Sequence, residues 1–174
     1  DIIVDALNIS KEYQKTWNDV HIDEKIKIVT KFALLLEKNK NDLLKVCVNE
    51  AGKTINDSFN DLREAIDFCY YYSSEAKKIL SKEIIFEGPT GEKNKLIYES
   101  KGVVFCISPW NFPIAIFVGQ IIAALLCGNT VIAKPAEQTS IISYKITKLL
   151  FNAGLPVNAL QLILGDGSKI GEKV

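Results

Sequence analysis

Three observations predict an α/β fold. Between Ile22 and Leu80 apolar residues recur at helical spacing, and from Glu83 to Ser100 the pattern switches to two short β-prone runs around a glycine-proline turn. Beyond Gly102, strand-like apolar runs alternate with helix-like ones. With 174 residues, 48% of them hydrophobic, the chain has enough apolar surface to close a core of its own. Its 21 basic residues balance 21 acidic ones, so it lacks the net field that nucleic acid or an anionic membrane surface selects. The longest apolar stretch, Pro113 to Cys127, is broken by Gly119 and Gln120 and falls short of the ~20 residues of a transmembrane segment.

Taken in order, Ile26, Val29, Phe32 or Ala33, and Leu36 mark a helix from Ile22, and Leu43, Leu44 and Cys47 a second, shorter one. "EAGKTINDS" is a turn. Ile55, Phe59, Leu62, Ile66 and Cys69 then follow in steps of four and three, one stripe of an amphipathic helix running to about Leu80, with Cys69 on the packed face. Residues 1–82 are therefore expected to be an N-terminal helical region. Ile84 to Phe86 and Leu96 to Tyr98 flank Gly88-Pro89-Thr90-Gly91, which is turn chemistry, so residues 83–101 predict a protruding β-hairpin.

Residues 102–174 read as "VVFCI", a buried strand; a helix from Pro113 to Cys127; "TVIA", a strand; a helix from about Ser140 to Asn152; and "LQLIL", a strand. Pro113 suits a first helical turn, and Gly128 and Gly154 suit the left-handed position after a last one. This order, β-α-β-α-β, is that of an incomplete Rossmann-like parallel sheet.

Right-handed crossovers in such a sheet place ligands outside the carboxyl ends of the strands. Three segments share that edge: "SPWN", "KPAEQ" and "GDG", which carry Asn111, Lys134, Glu137, Gly165 and Gly167. Ser108-Pro109 and Phe112-Pro113 freeze the first bend, because proline fixes its own φ and restricts the residue before it. Asn111 either hydrogen-bonds its own backbone, as turn asparagines do, or directs its amide N–H at a developing oxyanion. Lys134 is either solvated or reaches a ribose hydroxyl or phosphate. Glu137 either favours the following helix through its dipole or accepts from ribose hydroxyls. "GDGSKIG" misses the G-x-G-x-x-G spacing by one residue and follows the third strand, so it reads as a tight turn whose bare backbone also admits close approach.

Four cysteines with no C-x-x-C pair and a single histidine, His21, argue against a zinc site, and no metal is expected. Without a signal-peptide pattern they read as reduced, buried thiols of a cytoplasmic protein. The local sequences of Cys106 and Cys127 offer neither the exposure nor the positive surroundings of a reactive thiolate. Asp1 in place of methionine, and the halt at Val174 just after a glycine-rich turn, lead us to expect a piece of a larger protein.

"GVVFCISPWNFP" followed by "GNTVIAKPAEQT", with "AGLP" and "LGDG" after it, resembles the aldehyde dehydrogenase superfamily. Within it, "EAIDFCYYYSSEA", "EGPTGEKN" and "KPAEQTS" look most like the L-glutamate γ-semialdehyde (1-pyrroline-5-carboxylate) dehydrogenase module of the bifunctional proline-utilisation A flavoenzymes. The resemblance spans almost the whole chain and is strongest from Glu87 to Gly171.

That resemblance implies an NAD-dependent oxidation of a small-molecule aldehyde. Asn111 would be the side-chain donor of the oxyanion hole, and Ile107, Ser108, Pro109 and Trp110 part of the cofactor wall. Lys134 and Glu137 would hold the adenosine ribose, with Gly165 and Gly167 against the adenine. Phe112 would face the aldehyde channel, with Glu64 near it to meet a substrate α-ammonium; Glu64 is otherwise a solvated residue off the apolar stripe. The hairpin would join copies of the chain into a homo-oligomer. FAD is expected only in a separate upstream proline dehydrogenase domain. In such enzymes a cysteine thiolate attacks the aldehyde and a glutamate-activated water releases the acid. Family members carry both residues, and a glycine-serine phosphate turn, after the segment matched here, so these 174 residues alone are expected to be inactive and to bind NAD weakly or not at all. The competing readings are another semialdehyde dehydrogenase, succinate semialdehyde being one such substrate, or a non-catalytic binding or oligomerisation module.

Overall fold

The computed structural model describes residues 2–171; the outermost positions of the first and third expected regions lie outside them. Four helices come first: α1 (Ile2–Asn18), α2 (Ile22–Lys38), α3 (Lys40–Ala51) and α4 (Ile55–Leu80). An antiparallel pair follows, β1 (Ile84–Glu87) with β2 (Lys93–Leu96). Then β3 (Val103–Ser108), α5 (Ala115–Leu126), β4 (Thr130–Pro135), α6 (Ser140–Ala153), β5 (Leu160–Leu162) and the short α7 (Gly167–Gly171) complete the order. Strands β3, β4 and β5 form a parallel sheet in that order, as expected of β-α-β-α-β. Gly128 (φ +83) and Gly154 (φ +114) take the left-handed conformation after α5 and α6, also as expected.

The central strand β4 is buried along its whole length because both faces of the sheet are covered. Val131 and Ala133 point into the main core, built with Phe32, Phe117, Ile121 and Ile146 from α2, α5 and α6. Ile132 points the other way, into a smaller core with Ile3 and Ala6 of α1 and with Ile163 and Ile170. Helix α1 is also tied by hydrogen bonds: Trp17 Nε1 donates to Leu125 O (3.0 Å) and Thr130 Oγ1 to Ser10 O (2.9 Å). Among the described residues no helix is long and apolar enough to cross a membrane.

Several local expectations are corrected. The helical reading began at Ile22, yet α1 precedes it; its buried residues are Ile3, Ala6, Ser10 and Trp17 while Ile2, Val4 and Ile9 are exposed, so its apolar pattern is blurred. On α4, Leu62 and Cys69 are buried, but Ile55 and Phe59 are exposed. The buried face runs instead through Ser58, Ala65, Ser73 and Ala76, while α4 meets α5 through Asp61 and Phe68. There the Phe68 ring fills the notch at Gly119, where a Cβ would come within 2.9 Å of it.

In the hairpin the second strand is Lys93–Leu96, beginning three residues and ending two residues earlier than expected. Gly88 N–H donates to Glu92 O (2.9 Å) and Gly91 takes φ +89, so pairing resumes at once with Glu87 opposite Lys93. Ile84 then meets Leu96, and Ile97 and Tyr98 run past the ladder. "VVFCI" is an edge strand, half-buried from Val103 to Phe105 with Ile107 exposed, because only β4 flanks it. Pro113 is buried but precedes the first helical residue, Ala115, by two positions. Cys127 is exposed, unlike the other three cysteines.

Candidate active site

Parallel pairing brings the ends of all three strands to one edge. Ser108 lies opposite Pro135 in register, Ala136 N–H donates to Ser108 O (3.0 Å), and Ile163 N–H donates to Ala133 O (2.9 Å). The loops that follow β3, β4 and β5 therefore emerge side by side. Two corners result, one around Asn111 and one around Lys134.

At the first corner Ile107 and Trp110 are exposed, Pro109 is half-buried, and Ser108 is buried. The Ser108 hydroxyl has no hydrogen-bond partner among the described residues. Asn111 is exposed and its side-chain amide makes no hydrogen bond to its own backbone; its main-chain O accepts from Lys53 Nζ at 2.9 Å. The same ammonium stands 4.5 Å from the centroid of the Phe112 ring, a cation–π distance, and 3.0 Å from Asp61 Oδ2. Asp61, fully buried as a side chain, uses Oδ1 to accept the Ala115 N–H at 2.7 Å. A carboxylate at the first N–H of α5 does what a capping side chain does, from a different helix.

Lys53 and Asp61 were missed by sequence reasoning. Lys53 belongs to the three-residue link between α3 and α4, inside what read only as a turn, and Asp61 was one more charge on a helix. A weak signal existed: Asp61 is one residue before Leu62, on a face whose other buried residues are uncharged, where a carboxylate needs a partner.

At the second corner Lys134, near the end of β4, is buried, and its Nζ lies 3.1 Å from Glu137 Oε2. A Cβ on Gly167 would stand 3.4 Å from that Nζ, so bare backbone faces the ammonium. Gly165 precedes it at φ +146. The Glu137 carboxyl is held below its usual range, first by its own main-chain N–H and then by Lys134. Asp166, not singled out from the sequence, accepts from Ser168 N and Ser168 Oγ (both 2.9 Å), which likewise lowers its carboxyl. The structure thus brings Lys134, Glu137, Gly165 and Gly167 together. Glu64 is exposed on α4 and is not joined to either corner by any contact among the described residues.

All four thiols are raised above their ordinary value, burial being the first cause in each. Burial pushes Cys69 up to about 12 and Cys106 to about 11. Burial also raises Cys47, against a smaller opposing hydrogen bond with Ser58. Cys127, although exposed, has partly enclosed surroundings that raise it despite the nearby Lys25. A thiolate at neutral pH requires the opposite shift.

The sequence model of the aldehyde dehydrogenase family matches residues 2–174. The chain is 35% identical over 172 residues to 1-pyrroline-5-carboxylate dehydrogenase 1 of Halalkalibacterium halodurans, covering 99% of this chain and 33% of that protein. It is 37% identical over 169 residues to the bifunctional protein PutA of Salmonella typhimurium, covering 97% of this chain and 12% of PutA. Among solved structures, proline utilization A with proline bound in remote sites superposes with a TM-score of 0.94 at 41% identity, over 98% of this chain and 17% of that one. The chain therefore spans about a third of the single-function relative and a smaller part of the bifunctional ones.

Proposed function

Because the chain belongs to the aldehyde dehydrogenase family, we propose that its two corners are the oxyanion side and the cofactor side of a site that oxidises L-glutamate γ-semialdehyde to L-glutamate in proline catabolism. One observation carries the reading: Asn111, with an amide free of hydrogen bonds to its own backbone, shares a sheet edge with the Lys134–Glu137 pair and the Gly165–Gly167 turn. The substrate follows from the names of the relatives, 1-pyrroline-5-carboxylate dehydrogenase and PutA.

The second corner fits NAD. A buried ammonium and an exposed carboxylate kept ionised offer a donor and an acceptor for ribose hydroxyls, and the glycine backbone leaves room for a flat ring. Lys134 and Glu137 would hold the adenosine ribose, Gly165 and Gly167 the adenine side, and Ile107, Ser108, Pro109 and Trp110 the wall beside it. When bound, NAD supplies the hydride acceptor. Asn111 directs its N–H at the oxygen that gains charge as the carbonyl is attacked, and Phe112 lines the approach of the aldehyde. Glu64 meets the substrate's α-ammonium. On this reading the nucleophilic thiolate is none of the four cysteines here, three of which are buried. The exposed hairpin, with Ile85 and Phe86 on its surface, joins copies of the protein. A cytoplasmic location accords with the four unpaired cysteines.

The test is Asn111→Ala in the complete reading frame, with NADH formation followed. Loss of one oxyanion donor lowers kcat roughly 10²-fold to 10³-fold. An unchanged kcat, with chemistry shown to be rate-limiting, removes Asn111 from the mechanism. Glu64→Gln in the same assay raises KM for the semialdehyde more than for an uncharged aldehyde; equal effects return Glu64 to the solvated surface. The 174-residue chain alone shows no sustained turnover, and turnover surviving removal of any full-length enzyme would place the nucleophile among its four cysteines.

A further inference from the structure

We propose that the Lys53–Asp61 ion pair is a positioning device for the Asn111 side chain, holding the bend at both ends so that the amide keeps one direction. The proposal rests on the reading of Asn111 as an oxyanion donor.

The geometry has the form of a clamp. Lys53 Nζ grips the start of the segment through Asn111 O (2.9 Å), and Asp61 Oδ1 grips its end through Ala115 N–H (2.7 Å). A single ion pair of 3.0 Å, with Lys53 12% and Asp61 0% exposed as side chains, joins the two grips. Between them lie Phe112, under the ammonium, and the buried Pro113 and Ile114. On the upstream side Ala136 N–H holds Ser108 O (3.0 Å). The peptide that leaves Asn111 is thus fixed by a charge-assisted hydrogen bond on its oxygen, and prolines at 109 and 113 restrict the residues before them.

Helix stability alone does not account for this arrangement. A carboxylate that serves only as the cap of α5 needs one oxygen, and Asp61 commits its second oxygen to a lysine whose other partners are Asn111 O and the Phe112 ring. Both lie in the segment that presents the oxyanion donor. A donor acts on a developing charge only if its direction is set before the charge appears, so a displacement of about 1 Å there costs on the order of 10²-fold in rate. Lys53 and Asp61 are on this argument positioning residues that never touch the substrate.

The test has two arms. In the 174-residue chain, amide hydrogen exchange is compared for wild type, Lys53→Met and the conservative Lys53→Arg. The expected result is at least roughly tenfold faster exchange confined to residues 111–118 in Lys53→Met, with β4 unchanged and Lys53→Arg close to wild type. In the complete reading frame Lys53→Met lowers kcat roughly tenfold to 10²-fold with KM for NAD little changed, and Lys53→Met combined with Asn111→Ala loses little beyond Asn111→Ala alone. Should Lys53→Met fail to fold, Asp61→Asn, which keeps the Ala115 acceptor and removes the charge, takes its place with the same expectations. Unchanged exchange in 111–118 overturns the clamp whatever the kinetics. Faster exchange with unchanged kcat, in an enzyme that Asn111→Ala does impair, overturns its role in positioning. If Asn111→Ala itself leaves kcat unchanged, the oxyanion reading fails, and the positioning role falls with it while the exchange arm still decides whether the bend is clamped.

Discussion

The two corners of the sheet edge are built in opposite ways. The Asn111 corner is held from outside by residues far away in sequence: Lys53 reaches it across 58 residues through an exposed hydrogen bond and Asp61 across 54 residues through a buried one. The Lys134 corner is held from within, by a Lys134–Glu137 pair three residues apart whose carboxylate is half exposed, and by an Asp166–Ser168 turn two residues apart. A bend that must aim one amide at one oxygen is over-determined. A surface that must accept hydroxyls from a ligand keeps its carboxylate within reach of solvent until the ligand replaces it, as Glu137 is kept beside the buried Lys134.

The largest expected effect separates the corners by stability. Asp61→Ala takes from a largely buried ammonium its carboxylate partner and from the Ala115 N–H its acceptor, and breaking such a pair costs about 3–5 kcal/mol. Glu137→Ala removes an exposed carboxylate and changes stability by less than about 0.5 kcal/mol. Urea unfolding of the two variants measures both numbers. A cost below about 1 kcal/mol for Asp61→Ala would make the two corners alike and dissolve the comparison.

Glycine substitutions give a smaller contrast of the same sign. At Gly119 a new Cβ meets the Phe68 ring at 2.9 Å inside the α4–α5 contact, and overpacking there costs about 1–3 kcal/mol. At Gly167 it meets only the mobile end of Lys134 at 3.4 Å, so Gly167→Ala stays within about 0.5 kcal/mol. Equal costs in thermal unfolding would show that the second corner is as tightly packed as the α4–α5 contact.

What the sequence made legible follows the same division. The Lys134 corner was readable because its chemistry is local: a strand-end lysine, a glutamate three residues on, and glycines after the next strand all lie in short segments placed by topology. The sheet itself was readable because uninterrupted apolar runs and left-handed glycines mark its strands and helix ends. The Lys53–Asp61 pair was not, since neither residue stands in a pattern and only the docking of α4 on α5 brings them to the bend. That docking was itself misread. Large apolar side chains at Ile55 and Phe59 suggested one face, whereas the buried face runs through Ser58, Ala65, Ser73 and Ala76, and α5 is met by Asp61 and Phe68. Helix α1 lies inside the expected helical region but has no legible stripe of its own, burying Ala6 and Ser10 beside Ile3 while exposing Ile2, Val4 and Ile9.

The smallest effect is electrostatic and tests whether the Lys134 corner is set before any ligand arrives. The Glu137 carboxyl lies below its ordinary 4.5 and the Asp166 carboxyl below its ordinary 3.8. A depressed carboxyl contributes stability that is present above the unfolded value and lost as pH falls through the folded one, so any contribution here fades as pH falls from 4.5 for Glu137, or from 3.8 for Asp166, through the lower folded midpoint. Both groups are exposed, so the readout is the titration midpoint of each carboxyl by NMR, with unfolding energy too coarse for the purpose. Glu137 is expected to titrate below 4.5, and Lys134→Met to raise its midpoint only part of the way, because the larger cause is its own main-chain N–H and the lysine comes second. A midpoint that returns fully to 4.5 would make Lys134 the organiser of the corner, as Lys53 is of the other. A midpoint that does not move would mean that the ammonium is not committed to Glu137 in solution, leaving it free for a ligand and making the contrast with the clamped lysine still sharper.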